Sequence, residues 1–162
     1  MNQDILSRVE NLGVMLKEKS QTVAVAESSS GGLISAHLLS LPGASSYFLG
    51  GSVIYTRYAG RGFLRVTDEE MKGIRAATTE YAELNATRVR ELLGSTWGLS
   101  ETGATGPTGN RYGDPAGHSC MAVSGPLYKS ITLSTGSEDR QDNMIAFSIA
   151  ALDLLIDCVR GT

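Results

Sequence analysis

The amino-acid sequence predicts a three-layer α/β/α domain on a mixed, mostly parallel central sheet. Three observations carry that prediction. Short strand-like runs alternate with segments whose apolar residues recur at helical spacing, the pattern of helices packed on both faces of a sheet. The first strand-like run meets a helix through a turn of small residues, Glu27-Ser28-Ser29-Ser30-Gly31-Gly32, a strand–turn–helix unit. Near the end, the runs 119–124 and 129–134 are joined by a turn around Gly125-Pro126, and that hairpin makes the sheet mixed rather than purely parallel. No segment repeats and no linker is visible, so residues 1–162 are expected to form one domain.

Each element follows from its residues. Ile5, Leu6, Val9, Leu12, Met15 and Leu16 trace one face of a first helix. Residues 22–26 form a strand, and Leu33, Ile34, His37, Leu38 and Leu41 a second helix that Pro42-Gly43 stops. The β-rich run 47–55 contains Gly50-Gly51, which predicts a bulge or a close backbone approach. Residues 59–66 fit either period. Thr67-Asp68-Glu69-Glu70 reads as a helix start with a capping box. Thr79 caps a clearer helix that runs to Leu93 and ends at Gly94. A strand over 97–102 is followed by a long loop, 103–117, rich in glycine. Asp139 opens a closing helix to Val159, with Ile145, Ile149, Leu152, Leu155, Ile156 and Val159 on one face.

Composition removes several functional classes. With 14 Lys and Arg against 17 Asp and Glu, the formal net charge is -3. No cationic excess exists to release counterions, so no nucleic-acid partner is expected. Two histidines and two cysteines, without metal-ligand spacing, predict neither a metal site nor a disulfide framework, and no cofactor is expected. Residues 1–20 mix acids and bases and lack a signal-type apolar region. The longest apolar stretch, 144–159, is cut by Ser148, Asp153 and Asp157, so no membrane partner is expected and the location is expected to be cytoplasmic. The 19 glycines stand out against a usual share of ~7% and suggest tight turns and backbone held close to a ligand.

Three places could carry chemistry. The serine-rich turn sits where open α/β sheets bind ligands, at a helix N-terminus that suits an anion, and one hydroxyl could be a nucleophile. A serine there could equally be a plain helix cap. The segment Glu101-Thr102-Gly103-Ala104-Thr105-Gly106-Pro107-Thr108-Gly109 also follows a strand, and its glycines would let backbone N–H groups reach a ligand; it could equally be an ordinary long surface loop. Arg140 starts the last helix, where a cation opposes the helix dipole, so it is expected to serve an anionic ligand or a carboxylate elsewhere. Alone, Tyr55 and His118 read as core residues and Asp114 as a turn residue.

These motifs, in this order, resemble the C-terminal domain of the competence/damage-inducible CinA family, whose enzymatic members are nicotinamide mononucleotide deamidases. The family's Glu-Ser-Cys-Thr-Gly-Gly is similar to Glu27–Gly32. Its Pro-Gly-Ser-Ser segment with a Gly-rich strand ending in Tyr is similar to Pro42–Tyr55. Its Gly-Ala-Val-Ser-Glu-Glu helix start resembles Arg75–Glu80, and its Thr-Gly-Ile-Ala-Gly-Pro loop resembles Thr102–Pro107. The resemblance implies an amidohydrolase with Ser28 as nucleophile and Tyr55 and Thr102 as further catalytic residues. Ser30, Gly31, Gly32, Gly103, Thr105, Gly106 and Arg140 would hold a small phosphorylated nucleotide-like ligand. It also implies a stand-alone C-terminal module that forms a homo-oligomer, a dimer by preference.

One departure cuts across this picture. Enzymatic members carry a lysine five residues after the tyrosine, thought to be the general base, and that position is Gly60. Arg57 and Arg61 cannot replace it, because a guanidinium keeps its proton. The family cysteine is Ser29, and a small hydroxyl residue is His118. Two readings therefore stand side by side: an amidohydrolase, with His118 or Tyr55 as conceivable substitute base, and a non-catalytic binder of nucleotide-like ligands or partners that has lost its base.

Overall fold

A computed structural model describes residues 3–162. Five strands, β1 (Val23–Glu27), β2 (Phe48–Val53), β3 (Trp97–Ala104), β4 (His118–Ser124) and β5 (Lys129–Ser134), form one sheet in the order β2-β1-β3-β4-β5. β1 pairs in parallel with β2 and β3, and the β3–β4 and β4–β5 pairs are antiparallel, so only β4 runs against the other four. This is the mixed sheet that the hairpin demanded. The helices are α1 (Gln3–Glu18), α2 (Leu33–Leu39), α3 (Arg57–Leu64), α4 (Thr79–Leu93) and α5 (Arg140–Arg160).

The two-residue period of the strands divides the core. On one face Val23, Val25, Trp97, Leu99, Met121 and Val123 meet Leu12 and Leu16 of α1, Ile34 and Leu38 of α2, and Phe147, Leu152 and Leu155 of α5. On the other, small residues face α3 and α4: Ala24 and Ala26 with Leu64 and Val89, and Cys120 and Ala122 with Ala82 and Ala86. α4 lies directly on the sheet backbone, since a Cβ at Gly98 would fall 1.9 Å from the Ala86 carbonyl oxygen. The same alternation carries to the strand ends. Glu27 and Glu101, register partners across β1 and β3, project to the α2 side, while Thr102 and His118 project to the α4 side.

Most boundaries follow the sequence reading. The pairing skips Leu49, so β2 has the bulge that Gly50-Gly51 predicts. A Cβ at Gly51 would lie 2.2 Å from Ser35 Oγ, which explains the second glycine. Gly94 ends α4 in the left-handed conformation, at φ 65. Residues 59–66 resolve largely into α3. Four expectations change. The capping box at Thr67 and Glu70 forms, yet the helix does not: the chain makes turns and breaks at Gly73, whose φ is 78. The cap of α4 is Thr78 rather than Thr79, its hydroxyl accepting from Tyr81 N at 3.2 Å. β3 extends to Ala104, shortening the loop. Ile145 is exposed, while Leu152, Leu155, Ile156 and Val159 of the expected stripe are buried, joined by Phe147, Ala151 and Leu154. No helix among the described residues is long and apolar enough to cross a membrane.

Candidate active site

The turn after β1 is held from beneath by two buried carboxylates. Glu27 receives Ser30 Oγ at 2.8 Å, Ile34 N at 3.0 Å, Ser35 N at 3.0 Å and Ser35 Oγ at 2.6 Å. It thereby caps α2 from the preceding strand, satisfying amides that would otherwise be open. Glu101 receives Ser28 N at 3.2 Å, Ser30 N at 2.8 Å, Ser119 Oγ at 3.0 Å and the Ser29 hydroxyl. Burial pushes the Glu101 carboxyl above its usual range, and these hydrogen bonds act in the opposite direction. Gly31 and Gly32, at φ 68 and 102, turn the chain from strand to helix over this base.

This arrangement sorts the serines. Ser30 is fully buried and its hydroxyl serves the chain's own anion, Glu27, so it does not line a ligand cavity. Ser29 points to Glu101. Ser28 alone turns its side chain outward; its hydroxyl makes no hydrogen bond to protein among the described residues, and it borders a cavity of about 180 Å³ with Tyr55, Arg57, Tyr81, Arg111 and Tyr112. The helix N-terminus is not an open anion site, because Glu27 occupies it. Among the turn's amides, those of Ser29 and Gly32 have no protein acceptor.

A second cavity, about 250 Å³, adjoins the first at Tyr55. Its walls are the Gly103–Gly106 backbone, Thr108–Asn110 and Arg140. Tyr55 is 60% exposed at the divide and is not a core residue, because its side chain stands beyond the end of β2. Arg140 donates to the Gly106 carbonyl at 2.7 Å and to the Tyr55 hydroxyl at 3.3 Å. No carboxylate among the described residues pairs with it, so its charge is not neutralised by the protein. The loop itself is pinned by α5: Asn143 Nδ2 donates to the Thr105 carbonyl at 2.9 Å. Gly103 and Gly106 are required by packing, since Cβ atoms there would stand 2.5 Å from the His118 carbonyl and 2.7 Å from the Glu138 carbonyl.

Three residues lie elsewhere. Thr102, on the opposite side of β3 from Glu101, is buried and accepts from Ala77 N at 3.1 Å, fixing a residue at φ 60. It borders neither cavity, so it holds the start of the α4 segment rather than a substrate. His118 contacts the Ala77 carbonyl through Nε2 at 2.8 Å on that same face and borders neither cavity, which removes it as a base for Ser28. Asp114 is more than a turn residue: Arg75 binds it at 2.6 and 3.2 Å, holding its carboxyl below the usual range, and the Arg75 guanidinium lies 5.0 Å from the Tyr112 ring centroid. This clamp sets Tyr112 at the mouth of the Ser28 cavity.

Sequence reasoning included Glu101 in the segment after the strand without giving it a role, and gave none to Asn143, Tyr81 or the Arg75–Asp114–Tyr112 group. A signal existed for Glu101 alone, a charged residue inside an otherwise buried strand pattern.

Comparison with known proteins agrees with this architecture. The model of the CinA C-terminal domain matches residues 6–159. A CinA-like protein of Sulfurihydrogenibium sp. is 34% identical over 153 residues, covering 94% of this chain and 38% of that protein. A CinA-like protein of Myxococcus xanthus is 40% identical over 68% of this chain and 26% of its own length. The chain thus spans well under half the length of these relatives. Among solved structures, a competence/damage-inducible protein from Agrobacterium tumefaciens superposes with a TM-score of 0.90 at 25% identity, over 97% of this chain and 96% of that one. A CinA superfamily protein from Klebsiella pneumoniae superposes with a TM-score of 0.91 at 20% identity, over 99% and 100%. The chain belongs to the CinA C-terminal domain family.

Proposed function

We propose that this chain is an amidohydrolase that releases ammonia from nicotinamide mononucleotide or a closely related nucleoside phosphate carboxamide, using Ser28 as nucleophile and no metal or cofactor. The observation that carries the reading is the placement of Ser28. It is the one outward-facing hydroxyl of a turn fixed by two buried carboxylates, and it opens on a cavity flanked by aromatic rings and arginines. A fixed nucleophile beside a concave site is what covalent acyl transfer needs. Tyr55, exposed at the divide, is suited to stack on a planar ring, whereas the Tyr112 ring already packs against Arg75 and Arg111. Arg140, unpaired with any carboxylate, and the Gly103–Gly106 backbone are suited to a phosphate in the adjoining cavity. The free Ser29 amide, next to the nucleophile, is the natural donor to the oxygen that becomes charged as Ser28 attacks.

The test is ammonia release from nicotinamide mononucleotide by wild type and by Ser28→Ala, with binding of the same compound measured by calorimetry. Release that falls at least ~10⁴-fold in Ser28→Ala, with binding kept, supports the reading. Gly60 favours a second reading, a ligand-binding relative without turnover: its backbone supplies no base where enzymatic relatives carry lysine. Saturable binding by a folded wild type that releases no ammonia would establish that alternative.

A further inference from the structure

The wall that carries Gly60 also carries a hydroxyl so far without a task. Tyr81 stands in the first turn of α4 and is only 7% exposed. It lines the Ser28 cavity and also a smaller one of about 20 Å³ beside Gly60; Arg57 and Met71 border both. A Cβ placed on Gly60 would meet the Tyr81 Oη at 3.8 Å and, beyond its chain neighbours and the backbone of its own helix, no other atom within 4 Å. The hydroxyl therefore stands where a side chain at position 60 would enter. The Tyr47 hydroxyl is spent on the fold, donating to the Leu38 carbonyl at 2.6 Å. The Tyr81 ring is buried, while its hydroxyl stays accessible at the cavity. Tyr81 Oη has no such partner among the described residues, so it is left to whatever fills the cavity.

We propose that Tyr81 is a catalytic residue of this chain, a proton shuttle standing in for the lysine that Gly60 replaces. The inference rests on the amidohydrolase reading. As Ser28 Oγ bonds to the carboxamide carbon, its proton passes to Tyr81 Oη while, in the same step, the proton Tyr81 held moves to the carboxamide nitrogen. The C–N bond of the tetrahedral adduct then breaks, its electron pair leaving with the nitrogen as ammonia and the carbonyl re-forming as the acyl-serine. Water then attacks the acyl-serine, one of its protons returns through Tyr81 to Ser28 Oγ, and the carboxylic acid departs. Tyr81 begins and ends neutral, so no phenolate has to accumulate. Arg57, beside it, could not do this, because a guanidinium does not give up its proton.

The experiment uses the full chain with Tyr81→Phe. Because the hydroxyl has no protein partner, the variant is expected to melt with wild type. Its kcat for ammonia release should fall about 10²-fold with KM within about twofold. Gly60→Lys added to Tyr81→Phe should restore at least about tenfold of that loss. Gly60→Leu, which presses an apolar side chain against the hydroxyl, should reproduce the loss if Tyr81→Phe fails to fold. In parallel, labelling of Ser28 by a fluorophosphonate reads proton removal without any assumption about substrate, and should slow similarly in Tyr81→Phe. Labelling at the wild-type rate in Tyr81→Phe, or no labelling of Ser28 in wild type, overturns the assignment. Fast labelling in wild type, slow labelling in Tyr81→Phe and no ammonia from either would retire the deamidase reading and leave Tyr81 in place.

Discussion

Two walls meet over Ser28, and they are built on different terms. The turn Ser28–Gly32 rests on two buried carboxylates that between them accept eight hydrogen bonds, four backbone amides and four hydroxyls. The α3 wall opposite carries Gly60 and Gly62, leaves Tyr58 85% exposed, and is held by Leu64 in the core, by a half-buried ion pair of Glu70 with Arg88 and by an exposed one of Arg61 with Asp68. An exposed pair such as Arg61–Asp68 contributes little to stability. The difference sets what a substitution costs on each side. A change in the turn strands buried donors, whereas a change at Gly60 alters what faces the small cavity beside Tyr81. Both walls depart from the resembled motifs: the turn has Ser29 in place of a cysteine, with its hydroxyl held by Glu101, and the α3 wall has Gly60 in place of a lysine.

The largest expected effect tests the rigid side. Each oxygen of Glu27 accepts a backbone N–H, Oε2 from Ile34 and Oε1 from Ser35. A glutamine has one carbonyl, so either orientation aims its NH₂ at a backbone donor. Glu27→Gln is expected to destabilise the fold by about 2–3 kcal/mol, read from denaturant midpoints at constant m. A loss under about 1 kcal/mol would mean the turn is not anchored as its hydrogen bonds indicate.

Glu101→Gln sharpens the comparison within the same wall. Glu101 takes both its backbone amides on Oε2 and only hydroxyls on Oε1. A glutamine can keep its carbonyl at the Oε2 place and donate to the two hydroxyls, which rotate to accept. Its cost at neutral pH is therefore expected within about 1 kcal/mol of wild type. The pH dependence has a definite sign. Burial raises the Glu101 carboxyl in the folded state above its ordinary value of 4.5. Between the two values the folded chain holds the proton that the unfolded chain has lost, so stability falls as pH rises through that window. Denaturation followed from pH 4 upward should show this decline in wild type and lose it in Glu101→Gln. An unchanged profile in the variant would assign the decline to other groups.

The same two walls show what the sequence can and cannot convey. Local signals were legible: the strand–turn–helix unit, the Gly50-Gly51 bulge, the Gly94 cap and the capping box at Thr67. The box was legible as chemistry but not as a helix, because Gly73 breaks the chain a few residues on. What was not legible depends on register between distant strands. Thr102 and Glu101 are neighbours in sequence, yet the strand period sends one to Ala77 and the other to Ser29. Family resemblance pointed to Thr102, and the buried anchor is Glu101. Tyr81 was silent in the same way: in sequence it is one apolar position near the start of a helix. Only the packing of α3 on α4 brings it beside Gly60.

The smallest effect should have the opposite sign. Gly60 lies inside α3 with ordinary backbone angles, and a Cβ there makes, beyond its own helix, only the 3.8 Å contact with Tyr81 Oη. Nothing in the helix requires glycine, and glycine costs a helix interior through its extra freedom in the unfolded chain. Gly60→Ala is expected to stabilise the fold by about 0.5 kcal/mol, measured by the same denaturant titration. A loss of more than about 1 kcal/mol would erase the contrast between the walls, since it would make position 60 as tightly determined as the turn it faces. A gain would show that the glycine is kept for the cavity rather than for the fold, because the space it leaves beside Tyr81 is then its one remaining structural consequence.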